Sequence, residues 1–256
     1  MEIRTRRFLF YSALIVFLLL GYGLVVYALG YRYDFIRGKF QKTGSLQVQT
    51  NINANVYLND ELAGETSFLT NSFAKSRLLP RTYVVRIQRR DSQSWQKNVD
   101  VEAGVLINHP KVVLLPLKFK EEIAAFGAFN ANRLSPKTPK TRKIVSPDGD
   151  KSATFNEREI FVEWLENSGR QPFRKTGDVE LITRFSQTIR DIQWYKDSEH
   201  LIVDAGGILK FIEIDIRGGI NIFDITGLDG PFYYDQSDNA IYKLDGDRAV
   251  KINLTR

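Results

Sequence analysis

The chain has 256 residues, a formal net charge of +6 and no cysteine. This length allows one or two folded domains, and the absence of cysteine excludes disulfides, thiolate metal sites and a cysteine nucleophile. The surplus of positive charge is modest and is not gathered on one periodic face, so we expect no binding to nucleic acid.

The N-terminal segment is the most constraining feature of the sequence, because residues 8–29 carry no charged side chain. As an α-helix rising about 1.5 Å per residue, this stretch spans roughly 33 Å, enough to cross the hydrocarbon core of a bilayer. A cleaved signal peptide is the competing interpretation, since Ala28 and Gly30 fit a cleavage site, but its apolar region has about 7–15 residues. The sequence therefore predicts an uncleaved transmembrane helix that binds the lipid bilayer through residues 8–29.

The flanks of this helix bear on its orientation. Three arginines lie in the tail of residues 1–7 and four basic residues lie between positions 32 and 42, so a count of positive charges does not decide it. A tail this short usually stays cytoplasmic, and Tyr27, Tyr31 and Tyr33 suit an aromatic belt at the exit side. We therefore expect a cell-membrane protein with a cytoplasmic N-terminus and the bulk of the chain outside.

Residues 30–43 are a polar and basic juxtamembrane segment, and the pattern of apolar and polar residues changes after it. From Gly44 onward, apolar and polar residues alternate as in half-buried strands, first at Leu46 and Val48. A turn is indicated at Asn59 and Asp60, and the continuous apolar run of residues 112–115 indicates a last strand. Six or so short strands within roughly 75 residues predict a small β-sandwich over residues 44–117.

The same segment resembles the PEGA domain, a small β module of prokaryotic surface proteins. The residues that carry the resemblance occur in the family's order: Gly44, Leu46, Val48, Ala54, Val56, Tyr57, Leu58, Asn59, Gly64, Thr66, Leu78, Pro80, Tyr83 and Val85. The chain departs from the family pattern at residues 52–55, which keep only one alanine of the name-giving tetrapeptide, and at Ser67 and Arg81. The resemblance implies a non-catalytic accessory module and transfers no active residues.

Residues 118–143 are predicted to be a basic linker. The part from position 131 to 143 has two prolines and no acidic residue, and its basic residues are Arg133, Lys137, Lys140, Arg142 and Lys143. Prolines keep such a segment extended, which favours a solvated connection between domains. The alternative is a polybasic patch for lipids or polyanions.

Residues 144–256 contain a weak internal repeat of about three units. Asp148, Asp197 and Asp238 mark tight polar turns at corresponding places in the three units. Each unit reads as a strand, a turn, a second strand and a further hairpin arm. Repeats of about 40–45 residues with four short strands are typical of propeller blades.

These repeats resemble the blades of TolB-like and WD40-like propellers, most clearly at residues 146–149, which read Ser-Pro-Asp-Gly. Closed propellers have about four blades or more, so three leave alternatives. The arc stays open, another chain closes it, or the hairpins form a different β fold. An open arc exposes strand edges to a partner or a second copy of the chain, which makes a homo-oligomer a further expectation.

Two histidines are the first candidates for chemistry. His109 and His200 share no metal-ligand spacing with each other. The sequence has no Gly-x-Ser-x-Gly elbow, although a Ser-His-Asp triad assembled by the fold stays open.

Other candidates have ordinary structural interpretations. Acidic pairs are common at strand ends, Asp-Gly is a standard hairpin turn rather than a complete Ca²⁺ loop, and the Gly-Gly pairs lack the Lys-Ser/Thr of a phosphate loop. The tryptophans lie in strand-like runs, which favours core packing. The residues considered are Glu163, Glu166, Asp197, Glu199, Asp148, Asp150, Asp245, Asp247, Gly206, Gly207, Gly218, Gly219, Trp164 and Trp194. We therefore assign no catalytic residue and expect neither a cofactor nor a metal.

The sequence as a whole predicts a mainly β envelope protein anchored by one helix. The first functional hypothesis is a non-enzymatic scaffold that binds an envelope protein or polysaccharide. The rival is a hydrolase of envelope polysaccharide or peptide, which needs paired acidic or nucleophilic residues in a cleft of the C-terminal domain.

Overall fold

The computed structural model confirms a mainly β protein with one apolar N-terminal helix. The residues that the structure describes are 3–124, 143–246 and 248–254. Two compact units are distinguished: residues 1–47, 74–83 and 100–108, and residues 48–73, 84–99 and 109–256.

The N-terminal helix α1 (Ile3–Ala28) is long and apolar enough to cross a membrane, as the sequence predicted. None of its residues is buried by the rest of the protein, so its apolar surface is available to lipid. The helix ends at Ala28 and is followed by Gly30, whose φ of +81° is the left-handed conformation favoured after a last turn. The amide N–H of Gly30 donates to the carbonyl of Tyr27 at 3.1 Å, which satisfies one of the terminal carbonyl groups.

The juxtamembrane segment folds into a hairpin that the sequence pattern did not predict. Strands β1 (Tyr31–Asp34) and β2 (Lys39–Lys42) pair antiparallel. Asp34 closes the hairpin, since Oδ1 accepts from the backbone N of Ile36 at 3.0 Å and Oδ2 accepts from Gln41 Nε2 at 2.8 Å. A side-chain acceptor of this kind is what nucleates a tight turn.

The region predicted as a β-sandwich forms two sheets. Strand order is β6-β3-β9 in one sheet and β5-β4-β7-β8 in the other. Leu46 and Val48, whose alternation predicted a half-buried strand, are fully buried, and so is Val56. Asn59 and Asp60 both adopt positive φ in a two-residue turn. The strands are β3 (Gly44–Thr50), β4 (Asn55–Leu58), β5 (Glu61–Glu65), β6 (Ser72–Leu78), β7 (Thr82–Gln88), β8 (Trp95–Asp100) and β9 (Leu106–Val112).

The C-terminal region forms three four-stranded antiparallel sheets. Their strand orders are β11-β12-β13-β14, β15-β16-β17-β18 and β10-β21-β20-β19. The turns that carry Asp148, Asp197 and Asp238 each join two consecutive strands of one sheet. The strands are β10 (Lys120–Ile123), β11 (Ile144–Val145), β12 (Lys151–Phe155), β13 (Glu159–Trp164), β14 (Val179–Arg184), β15 (Ile189–Trp194), β16 (His200–Ala205), β17 (Ile208–Glu213), β18 (Ile222–Gly227), β19 (Phe232–Asp235), β20 (Ala240–Asp245) and β21 (Arg248–Asn253).

Strand β10 lies within residues 118–143, which the sequence predicted to be a basic linker. The four residues Lys-Glu-Glu-Ile carry no strand alternation and are all exposed, so no local pattern could indicate a strand. Pairing with β21 makes them one, with Glu122 opposite Lys251. Residues 125–142, which hold most of the predicted polybasic segment, lie outside the described residues, and Lys143 forms an ion pair with Glu163 at 2.7 Å.

The apolar run of residues 112–115 also differs from its prediction. Only Val112 belongs to a strand, and Val113 and Leu115 instead pack into a core of the second unit with Phe211 and Phe232. Apolar side chains outside a strand thus join the peptide that follows β9 to the C-terminal sheets. A continuous apolar run cannot by itself separate a buried strand from a buried irregular segment.

We predict that β10 stabilises the last sheet. Ala124 N donates to the carbonyl of Ala249 at 2.8 Å, and the two-residue alternation of an antiparallel ladder then directs the N–H of Glu122 to Lys251. Glu122→Pro removes this donor and should lower the free energy of unfolding by about 1 kcal/mol. Glu122→Ala, which keeps the donor, is the control. Urea unfolding of the full chain in detergent measures both, and equal stabilities would contradict a paired β10.

Candidate functional site

A lysine buried in strand β8 marks the most unusual electrostatic site of the second unit. The side chain of Lys97 is 0% exposed, whereas lysine is almost never fully buried without a partner. Its Nζ lies 3.2 Å from Glu213 Oε1 and 3.9 Å from Asp215 Oδ1, and it donates to the backbone carbonyl of Asp215. These contacts supply the three acceptors that an ammonium group requires. We call Lys97, His109, Glu213, Asp215 and Arg217 the ion cluster.

Glu213, at the end of β17, is held by further donors. Its Oε2 accepts from Trp95 Nε1 at 3.1 Å and from Asn221 Nδ2 at 3.0 Å. Asn221 in turn accepts from the backbone N of Gln96 at 3.2 Å through Oδ1. The carboxylate therefore has hydrogen-bond partners on both oxygens, which is the condition under which a buried charge is tolerated.

Asp215 is surrounded by three cationic or ionisable side chains. Arg217 Nη2 donates to Oδ2 at 2.6 Å and Arg217 Nε donates to Oδ1 at 3.0 Å, while His109 Nδ1 lies 3.3 Å from Oδ2 outside hydrogen-bond alignment. Burial raises the pKa of Asp215, but His109, Arg217 and Lys97 outweigh burial and hold that pKa well below its usual range. Asp215 is therefore an ionised anchor rather than a proton donor.

The loop after Asp215 covers the edge of β8. Asn98 N donates to the carbonyl of Gly218 at 2.8 Å, so the edge strand has a backbone partner. Gly218 has φ of +68°, and a Cβ there would stand 2.0 Å from the carbonyl O of Asn98. The Gly218-Gly219 pair is thus explained by close backbone approach and not by phosphate binding.

A second group of ionisable residues lies in the same unit around His200. The ring of His200 is buried, stacks on Phe211 with centroids 4.7 Å apart, and places Nδ1 2.7 Å from Asp197 Oδ2. Burial lowers the pKa of His200, but Asp197, Glu213 and Glu199 outweigh burial, so the net shift is upward.

Glu199 faces two lysines in this second group. Its Oε1 lies 3.3 Å from Lys151 Nζ and 3.9 Å from Lys111 Nζ. Burial raises the pKa of Glu199 despite both lysines. Both histidines and the Asp197–Glu199 pair, to which the sequence assigned no functional role, therefore belong to neighbouring networks, although they lie in different strands and turns.

The other sequence candidates have structural roles. Trp164 and Trp194 are buried in one apolar core, as their strand-like context favoured. Asp148 accepts from Ser146 Oγ at 2.6 Å inside its own turn, and Glu163 pairs with Lys143. The remaining acidic candidates lie in bends or at a strand end: Glu166, Asp150 and Asp245. Asp247 lies outside the described residues.

The space beside the ion cluster limits its chemistry. A cleft lined by His109, Lys111, Pro172, Glu199 and Asp215 has a volume of about 20 Å³, room for about one water molecule. Sites for small molecules usually measure about 300–1,000 Å³. Among the described residues, no group of three or more His, Asp or Glu side chains is arranged to hold a metal ion.

Lys97, Glu213, Asp215 and Arg217 were missed by sequence reasoning. A signal for Lys97 existed, because Trp95, Lys97 and Val99 occupy alternate positions of β8 and all three are buried. A lysine on the inward face of a strand indicates a buried partner. The sequence does not indicate which residue is that partner, because Glu213 lies more than a hundred residues away from Lys97.

Comparison with known proteins adds no family assignment. No model of a known protein family matches the sequence, and no curated protein matches it.

We predict that the ion cluster stabilises the second unit, and that removing one of its charges is costly because the opposite charges are then left uncompensated. Lys97→Met leaves Glu213 and Asp215 without a buried cation and should cost about 3–5 kcal/mol of the free energy of unfolding. Lys75→Met, at an exposed strand position, is the matched control and should change little. Urea unfolding in detergent measures both.

The double variant Lys97→Met/Glu213→Gln tests whether the charges of Lys97 and Glu213 are energetically coupled. The substitution Glu213→Gln removes the charge at this position and keeps an acceptor for Trp95, so the double variant should be more stable than Lys97→Met alone. If the free energy of unfolding lost in the double variant equals the sum of the losses in the two single variants, the charges of the cluster do not act together and the prediction is contradicted.

We predict that His200 makes stability fall at alkaline pH. Its pKa is raised in the folded state above the ordinary value of 6.5. A group of this kind contributes stability fully below its unfolded pKa, and the contribution is lost as pH rises through the folded pKa. The free energy of unfolding should therefore fall more steeply as the pH rises above about 6.5 in the native chain than in His200→Gln. Parallel profiles would rule out His200 as the titrating group.

Proposed function

We propose that the chain is a single-pass cell-envelope protein whose β modules form a rigid, non-catalytic scaffold for a protein or polymer partner. The N-terminal helix anchors it, with the short tail in the cytoplasm and the rest outside. The observation that carries the proposal is the ion cluster. Its charged groups contact one another and backbone groups, which suits a fixed connection between Lys97 and the C-terminal sheets better than a reaction centre.

The finer architecture belongs to the same proposal. Residues 44–117 are a PEGA-like module, and residues 144–256 with β10 are three propeller-type blades. The strand order of the three sheets supports this, as does the position of β10, which enters the last sheet from earlier in the chain. Strand β10, which precedes the first of the three sheets in the chain, thus pairs in the last sheet and joins the two ends of the proposed blade array.

The partner site is the open edge of β14. The edge of β10 carries three charged residues, which discourage strand addition. On β14, Val179 and Leu181 are 63% and 43% exposed, and an apolar edge strand is suited to pairing with an extended segment of another protein. A second copy of the chain could use the same edge.

The rival hydrolase is less well supported. Its site would need a cleft that admits a sugar or peptide, and the cleft beside the buried carboxylates holds about one water molecule. Asp215 is also held ionised by its neighbours, whereas a general acid needs a pKa near the working pH.

The orientation of the chain in the membrane can be tested by labelling cysteine variants in intact cells. The natural chain has no cysteine, so Thr5→Cys in the tail and Lys175→Cys in an exposed loop each create a single labelling site. A membrane-impermeant maleimide should label Lys175→Cys in intact cells and Thr5→Cys only after lysis. The reverse pattern would refute the outward orientation.

We predict that β14 is required for partner binding. Leu181→Lys places a charge on the proposed edge. After chemical cross-linking in intact cells and purification of the chain, this variant should recover about tenfold less partner, or less still, than the native chain. Leu117→Lys changes an equally apolar exposed residue outside the strands and is the control. Equal recovery with both variants would contradict the β14 site, and release of a cleaved polysaccharide or peptide by the purified chain would favour the hydrolase.

A further inference from the structure

A pocket in the first unit lies between the last turns of α1 and the hairpin β1–β2. Its volume is about 480 Å³, within the range of about 300–1,000 Å³ that is usual for small-molecule sites. We call it the juxtamembrane pocket. Its lining includes Tyr22, Gly23, Val26, Tyr27, Arg32 and Arg77.

The pocket spans two chemical environments. Gly23 lies five residues before the end of α1, a distance of roughly 8 Å along the helix. A helix that crosses a bilayer therefore places Gly23 and Val26 at the depth of the acyl chains, and Arg32 follows at the depth of the headgroups. The space beside Gly23 is open, since a Cβ there would meet nothing within 4 Å. An occupant must be apolar at one end and polar at the other.

The polar end of the pocket is cationic. Arg32 and Arg77 are its charged lining residues, and neither forms an ion pair within the part of the chain that the structure describes. The guanidinium of Arg77 lies 3.6 Å from the centroid of the Tyr27 ring. A guanidinium can make such a contact through its face and still use its in-plane N–H groups to bind a phosphate with two hydrogen bonds.

The neighbouring hairpin favours the same membrane depth. Phe35 and Ile36 at its tip are 88% and 82% exposed, which is costly in water and favourable in the interfacial layer of a bilayer. The one acidic residue of the hairpin, Asp34, is buried and bonded within the turn. It therefore does not neutralise the two arginines of the pocket.

We propose that the juxtamembrane pocket binds one anionic phospholipid. The phosphate lies between Arg32 and Arg77, and one acyl chain runs along Gly23 and Val26. A phospholipid satisfies both ends of the pocket, whereas a free anion would leave its apolar end empty. This inference rests on the proposed membrane anchorage and is independent of the scaffold role.

Lipid binding is measured by native mass spectrometry of the full chain in a nonionic detergent. Phosphatidylglycerol and phosphatidylcholine are added separately, and inorganic phosphate is added as a competitor. We expect one retained phosphatidylglycerol per chain, weaker retention of phosphatidylcholine and no displacement by millimolar phosphate. Full displacement by phosphate, or equal retention of the two lipids, would overturn the proposal.

Charge variants separate a defined site from general attraction. Arg32→Gln/Arg77→Gln should weaken phosphatidylglycerol binding by roughly 10- to 30-fold, since each basic residue near a membrane surface contributes about 1 kcal/mol. Arg37→Gln/Lys39→Gln removes the same charge from the hairpin outside the pocket and should have little effect. Equal losses would show diffuse electrostatic attraction and overturn the site.

A glycine pair tests the apolar end without changing charge. Gly23→Leu fills the pocket and should remove the retained lipid. Gly21→Leu makes the same change at another open position of α1 that does not line the pocket, and it should bind as the native chain does. If both variants keep the lipid, the acyl chain does not occupy the pocket and the proposal fails.

Anchorage is checked separately by washing membranes with alkaline carbonate. Release of the native chain would contradict the membrane helix and with it the lipid site. Retention of the native chain, together with no lipid preference, would overturn the lipid site alone.

Discussion

Lys97 brings a full positive charge into a place that water does not reach, and the packing around it in the second unit follows from that constraint. A buried ammonium group is tolerated only when nearby anions and acceptors replace its hydration. Glu213, Asp215 and the carbonyl of Asp215 do so. Because Lys97 belongs to β8 and its acceptors lie at and after the end of β17, the requirement fixes how these two segments meet.

The same requirement explains the backbone around the cluster. Glu213 and Asp215 need donors of their own, and the chain supplies them from Trp95, Asn221 and Arg217. The loop that carries Arg217 and Asn221 then reaches the edge of β8, where only a glycine allows the backbones to approach at Gly218. One loop therefore both supplies hydrogen-bond donors to Glu213 and Asp215 and covers the edge of β8. Each of these roles depends on the position that the other gives the loop.

The sequence predicted those features whose cause is local. An uncharged stretch predicts a helix in lipid, alternation predicts the inward face of β3, and Asp-containing turns predict one hairpin in each C-terminal sheet. Strand β10 could not be predicted, because its pairing with β21 and not its own pattern makes it a strand. The hairpin after α1 depends on the side chain of Asp34, and the ion cluster depends on contacts more than a hundred residues apart. A lysine at an inward strand position predicts that an anion is near but does not say which one.

The ion cluster and the juxtamembrane pocket differ in whether their charged groups already have partners of opposite charge. The ion cluster is largely buried, and its carboxylates already have several donors each, so a ligand would have to displace contacts that hold the unit together. The arginines of the juxtamembrane pocket are in the opposite state: they stand beside apolar surface without an anionic partner in the described part of the chain. Burying a charged group is favourable only when its counter-charge comes with it. An anion that carries its own apolar portion meets that condition at the pocket and could not meet it at the ion cluster.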